Sequence, residues 1–257
     1  MGMFAAYYDA SGAEGDSRKP LVVAGLISTV LRWRKFERDW NRVLADPEFN
    51  VPYLHMKEFA HSQKGSPFES WKGNEEKRKQ FLDRLRRVIK RRVHRATLMY
   101  LPLEHFTAVN ERYRLQEVIG GPYSLAAVGC FGHVDKWVKA KHPGDHVEHI
   151  FEAGDKGQRI FEAVSKVAGY FPIIRRKFDG ERGTWITPLQ AADWFAYEYA
   201  LELMRRDAPG ERRFQQRGSW QELHWHIPCI VKEYSMSSLT RLCEKHPATF
   251  PPRVHDG

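Results

Sequence analysis

The hydrophobic pattern opens on a run without alternation. Phe4, Ala5, Ala6, Tyr7 and Tyr8 lead straight into Asp9, and Ser11-Gly12 follows as a turn signal. A continuous apolar run bounded by a turn predicts a buried strand in the middle of a sheet. A second run, 21–27 (LVVAGLI), follows a polar loop over 11–20, and the pair predicts an antiparallel hairpin. The period then changes. Trp33, Phe36, Trp40 and Val43-Leu44 recur at three- and four-residue spacing, which predicts a helix over 31–45 ended by Asp46-Pro47.

Segment 53–59 (YLHMKEF) fits a helical turn or an extended stretch equally, and a Gly/Ser/Pro-rich loop follows it. Asn74 is placed to cap a helix running to 92, with Phe81, Leu82, Leu85, Val88 and Ile89 as its apolar stripe. Residues 96–103 (ATLMYLPL) predict a third strand closed by Pro102. Helices follow over 104–114 and 123–141, separated by Gly-Gly-Pro. A strand over 146–153 (HVEHIFEA) runs into Gly154-Asp155-Lys156-Gly157, then come a helix over 158–168 and a strand over 171–178 (FPIIRRKF). Thr187 as N-cap with Pro188 in the first turn announces a long helix to 205.

Residues 206–218 form a basic linker with Pro and Gly, and 219–246 suggests one or two short helical segments offering Trp220, Trp225, Ile230 and Leu242 for packing. The last residues, 251–257, are expected to fray. Hairpin first and strand–helix alternation later imply an α/β sheet of mixed direction flanked by helices. The expected organisation is a domain over 1–205 with an extension, 206–257, packed on it.

Composition changes this picture little. The 257 residues are 42% apolar and 28% charged, an ordinary globular balance. The sequence lacks an apolar run of spanning length and a basic-then-apolar leader, so neither export nor anchoring is expected. Cys130, Cys229 and Cys243 are scattered without a C-x-x-C pair, which fits a reducing cytoplasm and argues against a disulfide framework or a cysteine zinc site. A net charge of +9 suits a polyanionic partner, DNA or RNA first. On helix 74–92 the cations Arg84, Arg86, Arg87, Lys90, Arg91 and Arg92 share the face opposite the apolar stripe: a solvated face, or one that tracks phosphates. Arg84, Arg87, Lys90, Arg91, Arg175 and Arg176 are the candidate nucleic-acid contacts.

The candidate chemistry lies in carboxylates. Asp9 and Glu152 each end an apolar strand, where α/β sheets open into a ligand crevice, and Asp155 follows in a Gly-flanked turn. Asp193 stands four residues after Leu189 and three before Ala196, on the core stripe of the last long helix. The plainer readings are a turn cap for Asp9 and a salt bridge to Arg175 or Arg176 for Asp193. Carboxylates converging on one sheet edge cannot all stay ionised without a cation. An all-oxygen set selects Mg²⁺ or Mn²⁺, and two such ions suit phosphodiester hydrolysis. Lys156, before a helix N-terminus, is placed to hold a phosphate, although the loop lacks the G-K-[ST] of a P-loop.

Four segments together carry a family resemblance: Tyr7-Tyr8-Asp9-Ala10-Ser11-Gly12, Leu54-His55-Met56-Lys57-Glu58, Phe151-Glu152-Ala153-Gly154-Asp155, and Pro188-Leu189-Gln190-Ala191-Ala192-Asp193. They resemble domain-of-unknown-function family 3800, whose members are considered RNase H-like metal-dependent nucleases. The resemblance spans about 4–203, with the P-L-Q-x-A-D helix its most specific part. It implies an RNase H-like fold and Asp9, Glu152 and Asp193 as metal ligands and catalytic residues. His55, Glu58, Asp155, Lys156 and Gln190 are then candidates for the rim. The family usually reads Asp-Glu-Ser-Gly at the first strand, and here Ala10 replaces the Glu.

His142, His146 and His149 read as structural or surface residues, since His146 and His149 would face opposite sides of a strand. His224 and His226, between tryptophans, read the same way. No G-x-S-x-G elbow surrounds Ser11. The leading expectation is a cytoplasmic, divalent-metal-dependent nuclease. A protein that keeps the fold and binds nucleic acid or a partner without cleaving is the alternative. A carboxylate-pair glycosidase is the third reading.

Overall fold

A computed structural model describes residues 2–12, 20–154, 157–167, 169–207, 218–225 and 227–253. The opening run forms β1 (Met3–Ser11), paired antiparallel with β2 (Leu21–Thr29) so that Tyr8 lies opposite Gly25 and Asp9 opposite Ala24. A Cβ on Gly25 would sit 2.3 Å from the Tyr8 ring, so the missing side chain is what lets that ring pack against β2. The Thr29 hydroxyl accepts the Arg32 N–H and starts α1 (Val30–Leu44), which buries Trp33, Phe36, Trp40 and Leu44. His55 is still extended, and the short helix α2 (Met56–His61) begins directly after it.

A 3₁₀ turn (Glu69–Trp71) leads to α3 (Glu75–Arg92), capped as expected by the Asn74 side chain accepting the Lys77 N–H. Next come β3 (Arg95–Leu101), antiparallel to β2, then α4 (Leu103–Arg112), the short α5 (Leu115–Ile119) and α6 (Pro122–Lys141). The chain returns through β4 (His146–Glu152), parallel to β1, then α7 (Gln158–Val167) and β5 (Ile173–Arg175), parallel to β4. A two-stranded ribbon of β6 (Phe178–Asp179) and β7 (Thr184–Trp185) precedes α8 (Thr187–Arg206). The last elements are α9 (Gly218–His224), β8 (Cys229–Glu233), parallel to β3, and α10 (Met236–Lys245).

The six-stranded sheet has the order β5-β4-β1-β2-β3-β8. Antiparallel pairs join the first three strands and parallel pairs join the rest, so this is an α/β mixed sheet. The central strands β1, β2 and β3 are buried on both faces, which is why they read as continuous apolar runs. Ala5, Val22, Ala24, Leu26 and Ile150 pack on the side of α1, α3, α8 and α9. Phe4, Ala6, Tyr8, Val23 and Phe151 pack against α6 and α7. A third cluster, with Leu101, Phe106, Leu115 and Leu239, ties α4, α5 and α10 to the end of β3. Among the described residues no helix is long and apolar enough to cross a membrane.

Four local readings need correction. The run over 171–178 is not one strand: it leaves the sheet after Arg175, and the Lys177 carbonyl accepts the Ile186 N–H at 2.7 Å, so the chain turns toward the start of α8. That bond holds Ile186 as the N-cap of α8, and Thr187 is its first helical residue, not its cap. Within 219–246, residues 229–233 add a sixth strand that tryptophan spacing alone does not reveal; Ile230-Val231 is its β-branched centre. Residues 251–253 are tied down, the Arg114 N–H donating to Pro251 O and the Arg253 N–H to Arg112 O. Residues 254–257 lie outside the described residues.

Candidate functional site

Side-chain alternation sets the site. Ala5 and Ile150 face the α8 side, so Asp9 on β1 and Glu152 on β4, at even offsets from them, emerge on that side too. Parallel pairing of Tyr8 with Phe151 brings the two carboxylates to the same end of neighbouring strands. Asp193 arrives from α8, 8% exposed. The three carboxylates thus come together from three elements widely separated in sequence.

What joins them is a residue the sequence reading did not select. The Lys177 ammonium lies 2.9 Å from Asp9 Oδ2, 2.8 Å from Glu152 Oε2 and 3.5 Å from Asp193 Oδ2. The plain reading of Asp193 named the wrong cation: Arg175 and Arg176 are exposed, and the ion-pair partner is Lys177. The signal lies in the strand register. Ile173, Arg175 and Lys177 share one face by alternation, and two residues beyond the Glu152–Arg175 pair of β4 and β5 is where a side chain reaches the strand ends.

Supporting bonds fix two of the carboxylates. Asp9 Oδ1 accepts the N–H of the next residue, Ala10, at 2.7 Å, a bond within β1 and not the turn cap that its Ser-Gly context suggested. Asp193 Oδ2 accepts the Met56 N–H at 2.8 Å, one turn past Gln190, whose Oε1 accepts the Trp40 indole N–H at 3.0 Å and the Leu54 N–H at 2.9 Å. Gln190 is therefore a fully buried clasp between α1, α8 and segment 54–56, set back from the rim. The P-L-Q-x-A-D spacing thus has a mechanical meaning: Gln and Asp, three residues apart, grip both ends of one extended segment.

His55 and Glu58 pair with each other, Nδ1 to Oε1 at 3.2 Å, and the Tyr53 hydroxyl donates to Glu58 Oε2 at 2.7 Å. His55, next to the Met56 that holds Asp193, is half-exposed beside the carboxylates. Asp155 and Lys156 lie outside the described residues. Ala10 packs with the cluster against α6 and α7, on the sheet face opposite the carboxylates. Residue 10 thus points away from the site, and a Glu there would do the same.

Electrostatically the site is one cation short. Burial pushes the Glu152 carboxyl up to about 9, the Asp9 carboxylate beside it adds to this, and Lys177 pulls the other way. Burial likewise raises Asp193 above the ordinary range, with Asp9 adding and Lys177, His55 and the Met56 N–H opposing. Burial works against the charge on Lys177, but Asp9, Asp193 and Glu152 together overcome it and hold its pKa above the ordinary lysine range. Three carboxylates around one ammonium carry a formal deficit of two charges, and a proton on Glu152 reduces it by one.

The donor set, all carboxylate oxygen, suits a hard divalent cation. The spacing suits an ammonium: 2.8–3.5 Å, against roughly 2.0–2.1 Å for Mg²⁺ ligands. Among the described residues no group of three or more His, Cys, Asp or Glu side chains is arranged to hold a metal ion.

Beside the carboxylates a cavity of about 980 Å³ is lined by Ile150, Arg175, Arg176, Phe178 and Trp185, with Glu37 on the α1 wall. Arg175 and Arg176 therefore lie near the site. The other proposed phosphate contacts sit on α3. There Arg84 is committed to Asp46 and Glu48, at 2.6 and 2.9 Å, whereas Arg87, Lys90 and Arg91 are exposed. The histidines are structural: His149 is buried between the Tyr8 hydroxyl, 2.8 Å away, and Asp135, 3.1 Å away. His146 is exposed and His224 packs on Trp220, while His226 lies outside the described residues.

Comparison with protein-family models, with curated proteins and with solved structures finds no match, so the family resemblance rests on the four motifs alone.

Proposed function

We propose that this chain is a divalent-metal-dependent phosphodiester hydrolase acting on DNA or RNA, with Asp9, Glu152 and Asp193 as the ligands of Mg²⁺ or Mn²⁺. One observation carries the reading. Two buried carboxylates, Asp9 and Asp193, and the partly buried Glu152 surround a single cation position at the end of the parallel strands β1 and β4. The strand order, antiparallel through β3-β2-β1 and parallel through β1-β4-β5, agrees with the RNase H-like sheet that the motifs imply.

Bound there, divalent ions supply Lewis acidity toward a phosphoryl oxygen and an activated water. The chain's own contribution is orientation. The Met56 N–H fixes one oxygen of Asp193, the Ala10 N–H fixes one of Asp9, and the Gln190 clasp keeps segment 54–56 seated against α8. Glu152, the most open of the three, faces the solvent side where a substrate phosphate would enter.

The test is the melting temperature with and without Mn²⁺ for the wild type and Asp9→Asn. Saturation at about 100 times the dissociation constant adds roughly 2.7 kcal/mol, a rise of a few degrees for a chain of this size. The expected result is a rise in the wild type that Asp9→Asn loses, together with Mn²⁺-dependent cleavage of single- or double-stranded nucleic acid.

A second reading is favoured by Lys177 itself, whose ammonium already neutralises part of the cluster. Here the carboxylates form a closed ion cluster and the protein binds nucleic acid without cutting it. That reading predicts salt-sensitive binding indifferent to Mn²⁺ and to Asp9→Asn.

A further inference from the structure

We propose that Lys177 is the site's resident counter-ion: its ammonium occupies the position of the divalent cation and must be displaced before that cation binds. The inference rests on the metal-dependent reading above and adds the residue that regulates it.

Three observations support displacement. First, the ammonium touches oxygens from all three carboxylates, so lysine and metal cannot hold the same oxygens together. Second, its contact with Asp193 is long, at 3.5 Å, and one positive charge leaves a cluster of three carboxylates under-compensated. A doubly charged ion at shorter range compensates it better, which gives the exchange a driving force. Third, lysine is a compact charge on a flexible four-carbon stem, without the bidentate fork that would lock an arginine in place. Its backbone is anchored through the bond from Ile186 N–H, and its ammonium is held through the same carboxylates that the cation would take.

The exchange makes the cation-free protein self-sufficient. Without an ion the ammonium keeps the carboxylates from repelling one another, and with one it withdraws. It also favours divalent over monovalent cations, because a singly charged ion gains nothing over the lysine it replaces.

The experiment measures Mn²⁺ binding by calorimetry for the wild type, Lys177→Met and Asp9→Asn. Alongside it, mass spectrometry follows acetylation of Lys177 in the wild type with and without Mn²⁺. Lys177→Met should melt lower without metal and bind Mn²⁺ at least tenfold more tightly than the wild type. In the wild type, Lys177 should be protected from acetylation until Mn²⁺ is added.

Asp9-dependent Mn²⁺ binding that Lys177→Met does not strengthen, or that leaves Lys177 protected, overturns the displacement proposal and leaves the metal site standing. If neither the wild type nor Lys177→Met binds Mn²⁺, both readings fall. Where Lys177→Met does not fold, the acetylation result on the wild type decides alone.

Discussion

Gln190 and Asp193 both hold backbone amides of segment 54–56. Replacing Gln190 with Leu would strip the acceptor from the Trp40 indole and the Leu54 N–H, both buried. Each orphaned donor costs about 1–3 kcal/mol, and urea denaturation should report a loss of about 2–6 kcal/mol for the pair. The Met56 N–H would then hold Asp193 less well, so Mn²⁺ affinity should fall in the same variant although Gln190 touches no cation. The sequence revealed Asp193 because an acidic residue on an apolar stripe is anomalous, and Asp9 and Glu152 because each ends an apolar run. Lys177 was hidden by its company. In Arg175-Arg176-Lys177 nothing in composition separates the one buried cation from its two exposed neighbours; only the strand register does.

At the scale of elements, long periodic segments were legible and short ones were not. The helices α1, α3, α6 and α8 and the strands β1 to β4 follow from patterns that burial imposes over many residues. The breaks at β5, at the β6–β7 ribbon and at β8 depend on tertiary hydrogen bonds such as Ile186 N–H to Lys177 O, which leave no periodic trace. The central pair β1–β2 carries a sharper constraint. Gly25→Ala would drive a methyl group against the Tyr8 ring and to 3.0 Å from Thr97 Cγ2. Overpacking of this kind costs about 1–3 kcal/mol, and thermal melts should show it. Asp9 follows Tyr8 directly, so the variant should also weaken Mn²⁺ binding.

For the whole molecule, charge gives two predictions. His94, His133 and His224 are held below the usual histidine range, in each case first by burial and then by neighbouring positive groups. A lowered folded pKa means that the unfolded chain takes up protons first. Stability from these groups is therefore present above about pH 6.5 and is lost as pH falls below it. Melting temperatures at pH 7.5 and 5.5 should show the fall, and His94→Gln should make it shallower. The second concerns Arg87, Lys90 and Arg91, the exposed cations of α3. If all three contact phosphates, their joint replacement by Ala should flatten the slope of log affinity against log salt by roughly 2–3 for single- or double-stranded nucleic acid. An unchanged slope would remove α3 from the interface.

The position of β8 has a consequence during synthesis. The strand pairs with β3, yet Ala96 and its partner Cys229 are separated by more than half of the chain. At translation rates of about 5–20 residues per second, roughly 7–27 s pass between the emergence of one strand and the other. Throughout that interval the outer edge of β3 is an open template for another nascent chain. Newly made protein is thus most exposed to aggregation after β3 has emerged and before β8 follows it. Slowing the ribosome between the two strands should lower the soluble yield, whereas a chaperone that shields strand edges should restore it.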